Sequence, residues 1–262
     1  MRAVATAASG MAAQELNVQV ISNNIANLRT TGYKKQRVAF QDLIYDHVRR
    51  VGAQASDQGT ILPVGVDIGG GVRTVGTPRL MSQGTLSQTG NDLDIAIRGE
   101  GFFKIQMPDG TYTYTRDGTF QMDATGRVVN AQGNPVQPTI TIPQNASGIT
   151  INAQGQLSVT LPGSTTPTTV GQIGLTRFIN KSGLNPIGDN LFTDTPASGP
   201  PQDGIANTDG YGDMQQANLE QANVEVVSEI SDLIAAQRAY EMNAKVISAA
   251  DQMLQSTTAL FR

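Results

Sequence analysis

The chain has 262 residues, a net charge of −4 and only 15% charged residues, with no Cys, no Trp and a single His, His47. These absences exclude a disulfide, a thiolate nucleophile and a zinc site with two imidazoles, and they leave His47 as the one imidazole for any catalytic dyad. Basic residues are few and are not interleaved with aromatic residues, so we expect no nucleic-acid binding.

Export and membrane signals are weak in this sequence. No run of about 20 apolar residues is present, which predicts no membrane insertion. Gln14 and Glu15 interrupt the apolar stretch near the N-terminus, so it does not read as a cleavable signal peptide. These features indicate either a cytoplasmic protein or one exported without a cleaved signal.

Residues 1–28 predict one helix, and Gly32 suits the end of this first segment, 1–32. Apolar residues recur at steps of mostly four and three, the spacing of a coiled-coil seam. The seam consists of Ala7, Met11, Val18, Ile21, Ile25 and Leu28.

The same helix carries an unusual asparagine patch in residues 22–27, which read SNNIAN. Asparagine is a poor residue for a helix interior. Asn23, Asn24 and Asn27 therefore indicate either a frayed helix end with exposed amides or side chains that bond to neighbouring backbone and set helix register.

Residues 33–84 predict a connecting segment and an extended arm. The pattern alternates from Tyr33 and becomes helix-like towards residue 50, so we expect His47 to lie solvated in a helix. Beyond Gly52 the chain is Gly-rich, with short strands expected at 64–68 and 72–75. Gly69–Gly71 is not a phosphate loop, because no Gly-Lys-Ser/Thr motif follows it.

Residues 85–202 predict an all-β domain of antiparallel hairpins, because alternating apolar residues are separated by turn residues. Residues 93–98 predict a strand with one wet face, and 203–215 a return loop. Further strands are expected around Phe103–Met107, Tyr112–Tyr114 and Phe120–Met122, and at 139–142, 149–151, 157–161 and 173–178.

The acidic residues of this domain do not predict a catalytic or metal site. Asp117 and Asp123 lie in turn sequences and lack the further carboxylates of a calcium loop. Asp92, Asp94 and Glu100 could form an acid–base pair for glycoside cleavage, although polar residues on a strand face explain them more simply. We expect no cofactor.

Residues 216–262 predict a long C-terminal helix with a similar seam. Further apolar residues lie off this seam, and the helix is longer than the N-terminal one, so a self-closing hairpin leaves apolar surface uncovered. The pattern favours assembly with copies of the same chain. The seam residues are Val226, Ile230, Leu233, Tyr240, Ala244, Ile247, Leu254 and Phe261.

The fold class is therefore predicted as α+β. Two terminal helices form a coiled-coil layer, and a Gly-rich arm and an inserted, mostly antiparallel β domain lie between them. The ends carry opposite charge balances, since residues 1–50 hold seven Lys/Arg against three Asp/Glu and residues 203–262 hold three against nine. Such ends attract each other, within one chain or between neighbours.

Several motifs resemble the bacterial flagellar rod and hook proteins. These are residues 22–27 followed by TGYK at 31–34, QGTL at 83–86, GEGFF at 99–103, ANV at 222–224, AQRAYEMNAK at 236–245 and DQML at 251–254. The arm at 62–75 and YTRDG at 114–118 are similar to the distal rod type. The resemblance covers essentially the whole chain.

The resemblance implies a structural subunit that stacks helically into a hollow drive shaft, with the terminal helices inside and the β domain outside. It implies unfolded secretion through the flagellar type III export apparatus into a rod that spans the periplasm. The implied partners are copies of itself, proximal rod proteins, the hook protein and the P-ring and L-ring proteins.

The resemblance also assigns roles to residues beyond the two seams. Asn23, Asn24 and Asn27 join the N-terminal assembly surface. Asn223, Gln237 and Arg238 join the C-terminal one. The arm would stiffen the rod through Pro63, Gly65, Gly69, Gly71 and Val72. The alternatives are another axial subunit, of hook or proximal-rod type, and an enzyme that cleaves cell-wall glycan.

Overall fold

The computed structural model describes residues 2–49, 51, 64–163 and 166–260. These residues form two compact units. One, here called the helical unit, contains Met1–Ile25, Gln36–Pro78 and Glu225–Arg262. The other, the β unit, contains Ala26–Lys35 and Arg79–Val224. The chain therefore passes between the units four times.

Two long helices belong to the helical unit. Helix α1 spans Arg2–Ala26 and helix α2 spans Val226–Leu260. At 1.5 Å per residue they are about 37 and 52 Å long. The predicted N-terminal helix is confirmed and ends two residues early. Within the described residues, no helix is long and apolar enough to span a bilayer.

The described strands of the helical unit form two antiparallel ribbons. Strand β1 (Ala39–Asp42) pairs with β4 (Val72–Gly76), and β2 (Tyr45–Arg49) pairs with β3 (Val66–Gly69). The strands expected at 64–68 and 72–75 are therefore present, with small shifts of boundary.

The helix predicted before residue 50 is wrong, because Tyr45–Arg49 forms a strand. Its backbone is paired with β3, and His47 lies opposite Asp67 with its Nδ1 atom 2.6 Å from the carboxylate. Because β2 pairs with β3, about 20 residues further along the chain, it forms a strand despite its helix-like sequence pattern.

The β unit contains sixteen further strands and one short 3₁₀ helix, Lys181–Gly183, among its described residues. The strands are β5 Leu86–Gln88, β6 Ile95–Arg98, β7 Phe103–Gln106, β8 Tyr112–Thr115, β9 Gln121–Met122, β10 Val128–Val129, β11 Val136–Gln137, β12 Gly148–Ile151, β13 Gln156–Thr160, β14 Thr168–Gln172, β15 Gly174–Arg177, β16 Asn185–Gly188, β17 Leu191–Thr193, β18 Gln202–Ile205, β19 Asp213–Gln216 and β20 Asn218–Glu220.

All strand pairs are antiparallel, which confirms the predicted β-rich middle of the chain. The largest sheet has the order β11-β7-β8-β17-β16, and a second has the order β12-β13-β14. Four two-stranded pairs complete the unit: β9 with β10, β15 with β18, β6 with β19 and β5 with β20. Several pairs join strands that lie far apart in the sequence.

Aliphatic and aromatic side chains divide the core of the β unit into separate clusters. The largest includes Ile97, Phe103, Leu157 and Ile173, each fully buried. A smaller aromatic cluster contains Tyr114, whose ring lies edge-on to Phe178 with centroids 4.7 Å apart. Edge-on contacts of this kind add to the energy of burying the rings.

Three expectations for the β unit need correction. Strand β6 has no wet face at Ala96, because Ile95, Ala96 and Ile97 are all buried. Residues 139–142 form no continuous strand, although Ile140 and Ile142 enter the core. The expected return loop at 203–215 contains most of β18 and β19, because both strands find partners earlier in the chain.

The C-terminal helix begins ten residues later than predicted. Gln216 ends β19 and pairs with Ile95, and residues 218–220 pair with β5. Ala217, between the two strands, adopts a left-handed backbone with φ of 56°. Strand pairing with distant segments satisfies the backbone of 216–220, so this segment does not continue the helical pattern.

Candidate assembly surfaces

Helices α1 and α2 run antiparallel and meet at two points in the helical unit. Near one end, Asn24 Nδ2 donates to Glu229 Oε2 at 3.1 Å. Further along, Gly10 faces Asn243, and a β carbon placed on Gly10 would lie 2.8 Å from Asn243 Nδ2. Fourteen residues separate the two contacts on each helix, so both belong to one register.

Asn24 links three segments of the helical unit. Its side chain is 2% exposed, donates to Gln36 O at 2.9 Å and accepts from Gln36 N at 3.0 Å. The third contact is the carboxylate of Glu229, which lies in the first turn of α2, where a negative charge is favourable. Asn24 thus makes the backbone bonds that one interpretation of the asparagine patch predicts.

The neighbouring asparagines behave differently. Asn23 is exposed, and Asn27 accepts a hydrogen bond from Thr30 Oγ1 at 3.1 Å.

Between the two helix contacts lies a groove of about 440 Å³. Its walls are formed by Glu15, Val18, Gln19, Gln237, Tyr240 and Glu241.

Burial along α2 shows which face is turned inwards. Glu229, Ala236 and Ala250 are the most buried side chains, at 3%, 3% and 8% exposure. They recur at intervals of seven and fourteen, with Asn243 at the intervening position. The predicted seam residues Leu233, Ala244 and Ile247 are half-buried.

Most remaining seam residues of α2 are exposed within one chain. Val226, Ile230, Tyr240 and Leu254 each keep about 40% or more of their surface. Gln237 and Arg238 are also exposed, whereas on α1 Ala7 and Ile21 are buried and Met11, Val18 and Ile25 are half-buried. Leu28 lies beyond the end of α1 and packs in the β unit against a cluster with Tyr33, so it is not part of the helix seam. Phe261 lies outside the described residues.

Further large apolar side chains are exposed on α2 beyond the predicted seam. Val227 is 74% exposed and Met253 is 62% exposed. Because these side chains recur along more than seven turns, they form an extended surface and not isolated exceptions. The others are Ile234, Met242 and Val246.

The arm contacts α1 through its glycines. Val72 N donates to Ser9 Oγ at 3.3 Å, and Gly71, with φ of 115°, lies against the same serine. A β carbon on Gly65 would lie 2.6 Å from Arg49 O, so the second ribbon also requires glycine there. Gly69 lies against the ring of Tyr45. Pro63 lies outside the described residues.

The β unit holds a buried charge cluster that the sequence did not reveal. Lys34 Nζ donates to Glu220 Oε1 at 2.6 Å and to Ser82 O at 2.8 Å. Arg116 approaches the other carboxylate oxygen at 3.4 Å, without hydrogen-bond geometry. The three charged side chains are 4% exposed or less.

Burial lowers the pKa of Lys34 from its usual value, although Glu220 opposes the shift. The pKa of Arg116 is lowered for the same reason. Two cations and one carboxylate therefore share a site from which water is excluded, and Glu220 is the anion that compensates both.

Asn223 belongs to the β unit and not to α2, and it ties together segments that the resemblance rests on. Its Oδ1 accepts from Lys35 N at 2.7 Å, and its Nδ2 donates to Leu80 O at 2.8 Å and to Ser82 O at 3.1 Å. Gly84 N donates to Glu220 Oε1 at 2.9 Å. The motifs at 31–34, 83–86 and 114–118 therefore meet around one cluster.

The acidic residues considered for glycoside cleavage are not arranged as a catalytic pair. Asp94 is buried and accepts from Asn91 Nδ2 at 3.0 Å, and Glu100 forms an ion pair with Lys181. Asp117 and Asp123 accept hydrogen bonds within their own turns. The described part of the chain contains no group of three or more metal-ligating side chains.

Comparison with known proteins gives consistent matches along the chain. Residues 5–34 match the family of flagella basal body rod proteins. Residues 96–159 match the D1 domain of the flagellar hook proteins FlgE/F/G, and 215–260 match the C-terminal part of the flagellar basal body rod FlgEFG proteins.

The chain is 53% identical over 260 residues to the flagellar basal-body rod protein FlgG of Caulobacter vibrioides, and the match covers 99% of each chain. This chain belongs to the flagellar basal-body rod protein family. FlgG of Agrobacterium fabrum is 47% identical over 97% of each chain, and FlgG of Bacillus subtilis is 35% identical over the full length of both.

Membership of the flagellar basal-body rod family, of the FlgG type, agrees with the exposed apolar surface of α2. Its members are structural rod proteins, and the chain is not an enzyme. The glycan-cleaving alternative is therefore not favoured.

Proposed function

We propose that this chain is a structural subunit of the flagellar distal rod, which assembles helically into a rigid, hollow drive shaft. The shaft transmits torque from motor to hook and passes exported subunits through its channel. The observation that carries the proposal is the exposed apolar surface of α2, from Val226 to Leu254. Each such side chain gains about 1.5–3 kcal/mol when fully buried, so neighbouring copies have a strong reason to cover it.

In this proposal α1 and α2 form the inner, coiled-coil layer of the tube, and the β domain faces outwards. The inner layer takes the helix bounds Arg2–Ala26 and Val226–Leu260, and the outer domain includes Arg79–Val224, because residues 203–220 contain paired strands. The antiparallel contacts at Asn24 and Gly10 support pairing of the two helices. The surface of α2 that remains exposed is left for other copies.

The arm would stiffen the rod by bridging neighbours. Every described residue of β2 and β3 is exposed, and among the described residues no third strand pairs with this ribbon. A two-stranded ribbon is marginally stable alone in water, and its open edges readily pair with further backbone. Its apolar side chains, Val48, Val66 and Ile68, add to the surface available for contact.

The proposed partners are other copies of the chain, proximal rod proteins, the hook protein, the P-ring and L-ring proteins and the flagellar type III export apparatus. The proposed location is the flagellar basal body, in the rod that spans the periplasm, reached without a cleaved signal peptide. Family membership supports this assignment. We propose no nucleic-acid partner and no membrane insertion.

Electron microscopy of concentrated purified protein tests the proposal. We expect straight tubes of uniform diameter, which dissolve on dilution into single subunits. Persistent compact monomers at high concentration, with α1 and α2 already protected from hydrogen exchange, would contradict the assembly role.

A hook-type or proximal-rod-type subunit is the remaining alternative within the family. The arm separates it from the distal-rod assignment, because a stiffening arm predicts that its removal makes the polymer bend more easily.

A further inference from the structure

The two contacts between α1 and α2 share a numerical relation that extends along both helices. Residue numbers 24 and 229 sum to 253, and so do 10 and 243. In an antiparallel pair of helices a constant sum defines one register. The same sum places Asn17 opposite Ala236 and Ala3 opposite Ala250, and both alanines of α2 are buried.

These layers follow a pattern in which a polar side chain meets a polar or a small partner. Asn24 meets Glu229 and Gly10 meets Asn243, and the same register places Asn17 opposite Ala236. The alternate layers contain larger apolar residues on α2, at Val226, Leu233, Tyr240 and Ile247. The apolar layers repeat every seven residues and so would fit equally well after a slip of one heptad.

The polar layers do not fit after such a slip. A slip in one direction moves Asn24 from Glu229 to Ala236, so the hydrogen bond between the Asn24 amide and the buried Glu229 carboxylate is lost. A slip in the other direction moves Asn243 from Gly10 to Ala3, where a methyl group occupies the space. The first slip removes a hydrogen bond to a buried charged group and the second creates a steric contact, so each alternative register is penalised.

We propose that Asn24–Glu229 and Gly10–Asn243 form a register lock, a pair of polar contacts that allow α1 and α2 only one alignment. Asn24 extends the lock to the connecting segment through both backbone bonds to Gln36. The lock deepens the proposed function, because a helical polymer repeats only if each copy presents the same surface. Single polar residues in coiled-coil seams set alignment elsewhere at some cost in stability.

Spin-label distances measure the register directly, since the chain contains no Cys. Labels at Ser22→Cys and Ser248→Cys, both exposed sites, lie about 25 Å apart along the helix axis in the observed register. A slip of one heptad changes this offset by about 10 Å in either direction. We expect one narrow distance population in the otherwise unchanged chain.

The lock variant is Asn24→Leu with Glu229→Leu, which keeps the layer buried and apolar. We expect a second population shifted by about 10 Å, or a broad distribution, with helical circular dichroism retained. The matched control is Asp251→Leu with Gln255→Leu, which removes an amide–carboxylate hydrogen bond within α2 alone. The control should keep the single distance, and a single distance in the lock variant would overturn the proposal.

A second pair of variants decides the matter if the lock variant loses its helices. Gly10→Ala places a methyl group against Asn243 and should broaden the distribution, and adding Asn243→Ala should restore one distance. An unchanged distribution in Gly10→Ala would overturn the lock. Electron micrographs of the same samples keep the two proposals separate, because a single distance without tubes supports the lock while contradicting the assembly role.

Discussion

At the scale of single residues, we expect substitutions in the buried cluster of Lys34, Glu220 and Arg116 to change the free energy of unfolding most. One carboxylate compensates two cations, and backbone groups of Ser82 and Gly84 complete its surroundings. Breaking a buried ion pair by removing one partner leaves a charge without compensation.

Glu220→Gln should therefore destabilise the β unit by about 3–5 kcal/mol, as measured by urea unfolding followed by circular dichroism. The control is Asp213→Asn, which breaks a pair with Arg98, whose side chain is 61% exposed. That pair is exposed to solvent, so its loss should destabilise the chain far less than the loss of the buried carboxylate. Equal effects of the two substitutions would contradict the central role of Glu220.

Tyr114 predicts a loss of stability at high pH. Burial raises the pKa of its phenol from 10.0 to about 12. Between these values the unfolded chain releases a proton that the folded chain retains, so stability falls as pH rises. The lowered pKa of Lys34 has the opposite effect just below pH 10.5. There the unfolded chain holds a proton that the folded chain has released, so this contribution makes stability rise with pH.

Tyr114→Phe isolates the tyrosine contribution, because Lys34 acts equally in both proteins. The free energy of unfolding, measured from pH 9 to pH 12, should fall less steeply in the variant than in the parent chain. Parallel curves would show that Tyr114 does not contribute to the alkaline transition.

At the scale of elements, α2 combines two surfaces with different tasks. Its inward positions are occupied by small or polar residues such as Ala236 and Asn243, which allow α1 to approach closely. The larger apolar residues remain exposed in a single chain. This division explains how one helix can pair within the chain and still offer surface to neighbours.

Leu254→Asp should abolish assembly, because a charge in a buried apolar contact is strongly unfavourable. Sedimentation of concentrated protein measures the loss, and the circular dichroism signal of the β unit should be unchanged. Ile247→Asp should have the same effect.

The control for these substitutions is Ser248→Asp, which adds the same charge at an exposed polar position of the same helix. It should leave most of the protein sedimentable. If it blocks assembly as fully as Leu254→Asp, added charge and not the apolar surface is responsible.

At the scale of the whole molecule, the arm is a separable part of the helical unit. Asp42 pairs with Val72 at the end of the first ribbon, and Leu43 N donates to Gly71 O at 2.9 Å just beyond it. The second ribbon can therefore be removed while the first is closed by a new turn.

Replacing residues 43–71 with Asn-Gly, which favours a two-residue hairpin turn, should leave a polymer that bends more easily. The persistence length of the tubes in electron micrographs measures this change. A second variant replaces Val48 and Ile68 with Thr, which keeps the ribbon and its strand preference but removes apolar contacts, and it should reduce stiffness less than removal of the ribbon does. Unchanged stiffness after removal of the second ribbon would favour the hook or proximal-rod alternative.

Local patterns in the sequence were sufficient to predict the order of the parts, the family and an apolar stripe on each terminal helix. These depend on local periodicity and on motifs that are contiguous in the chain. The hairpins around Tyr112 and Phe120 were predictable for the same reason, since their turns and alternating residues are neighbours in sequence.

The start of α2 and the choice of its inward face depend on tertiary contacts, so the sequence pattern could not predict them. The same holds for the joint burial of Lys34, Arg116 and Glu220. Residues 216–220 pair with strands more than a hundred residues earlier, and no local pattern contains that information. The heptad of α2 is compatible with partners at Ile230 and Gln237 or at Glu229 and Ala236. Close approach to α1 selects the second set, because small side chains allow the helices to meet at Gly10 and a buried carboxylate requires the amide of Asn24.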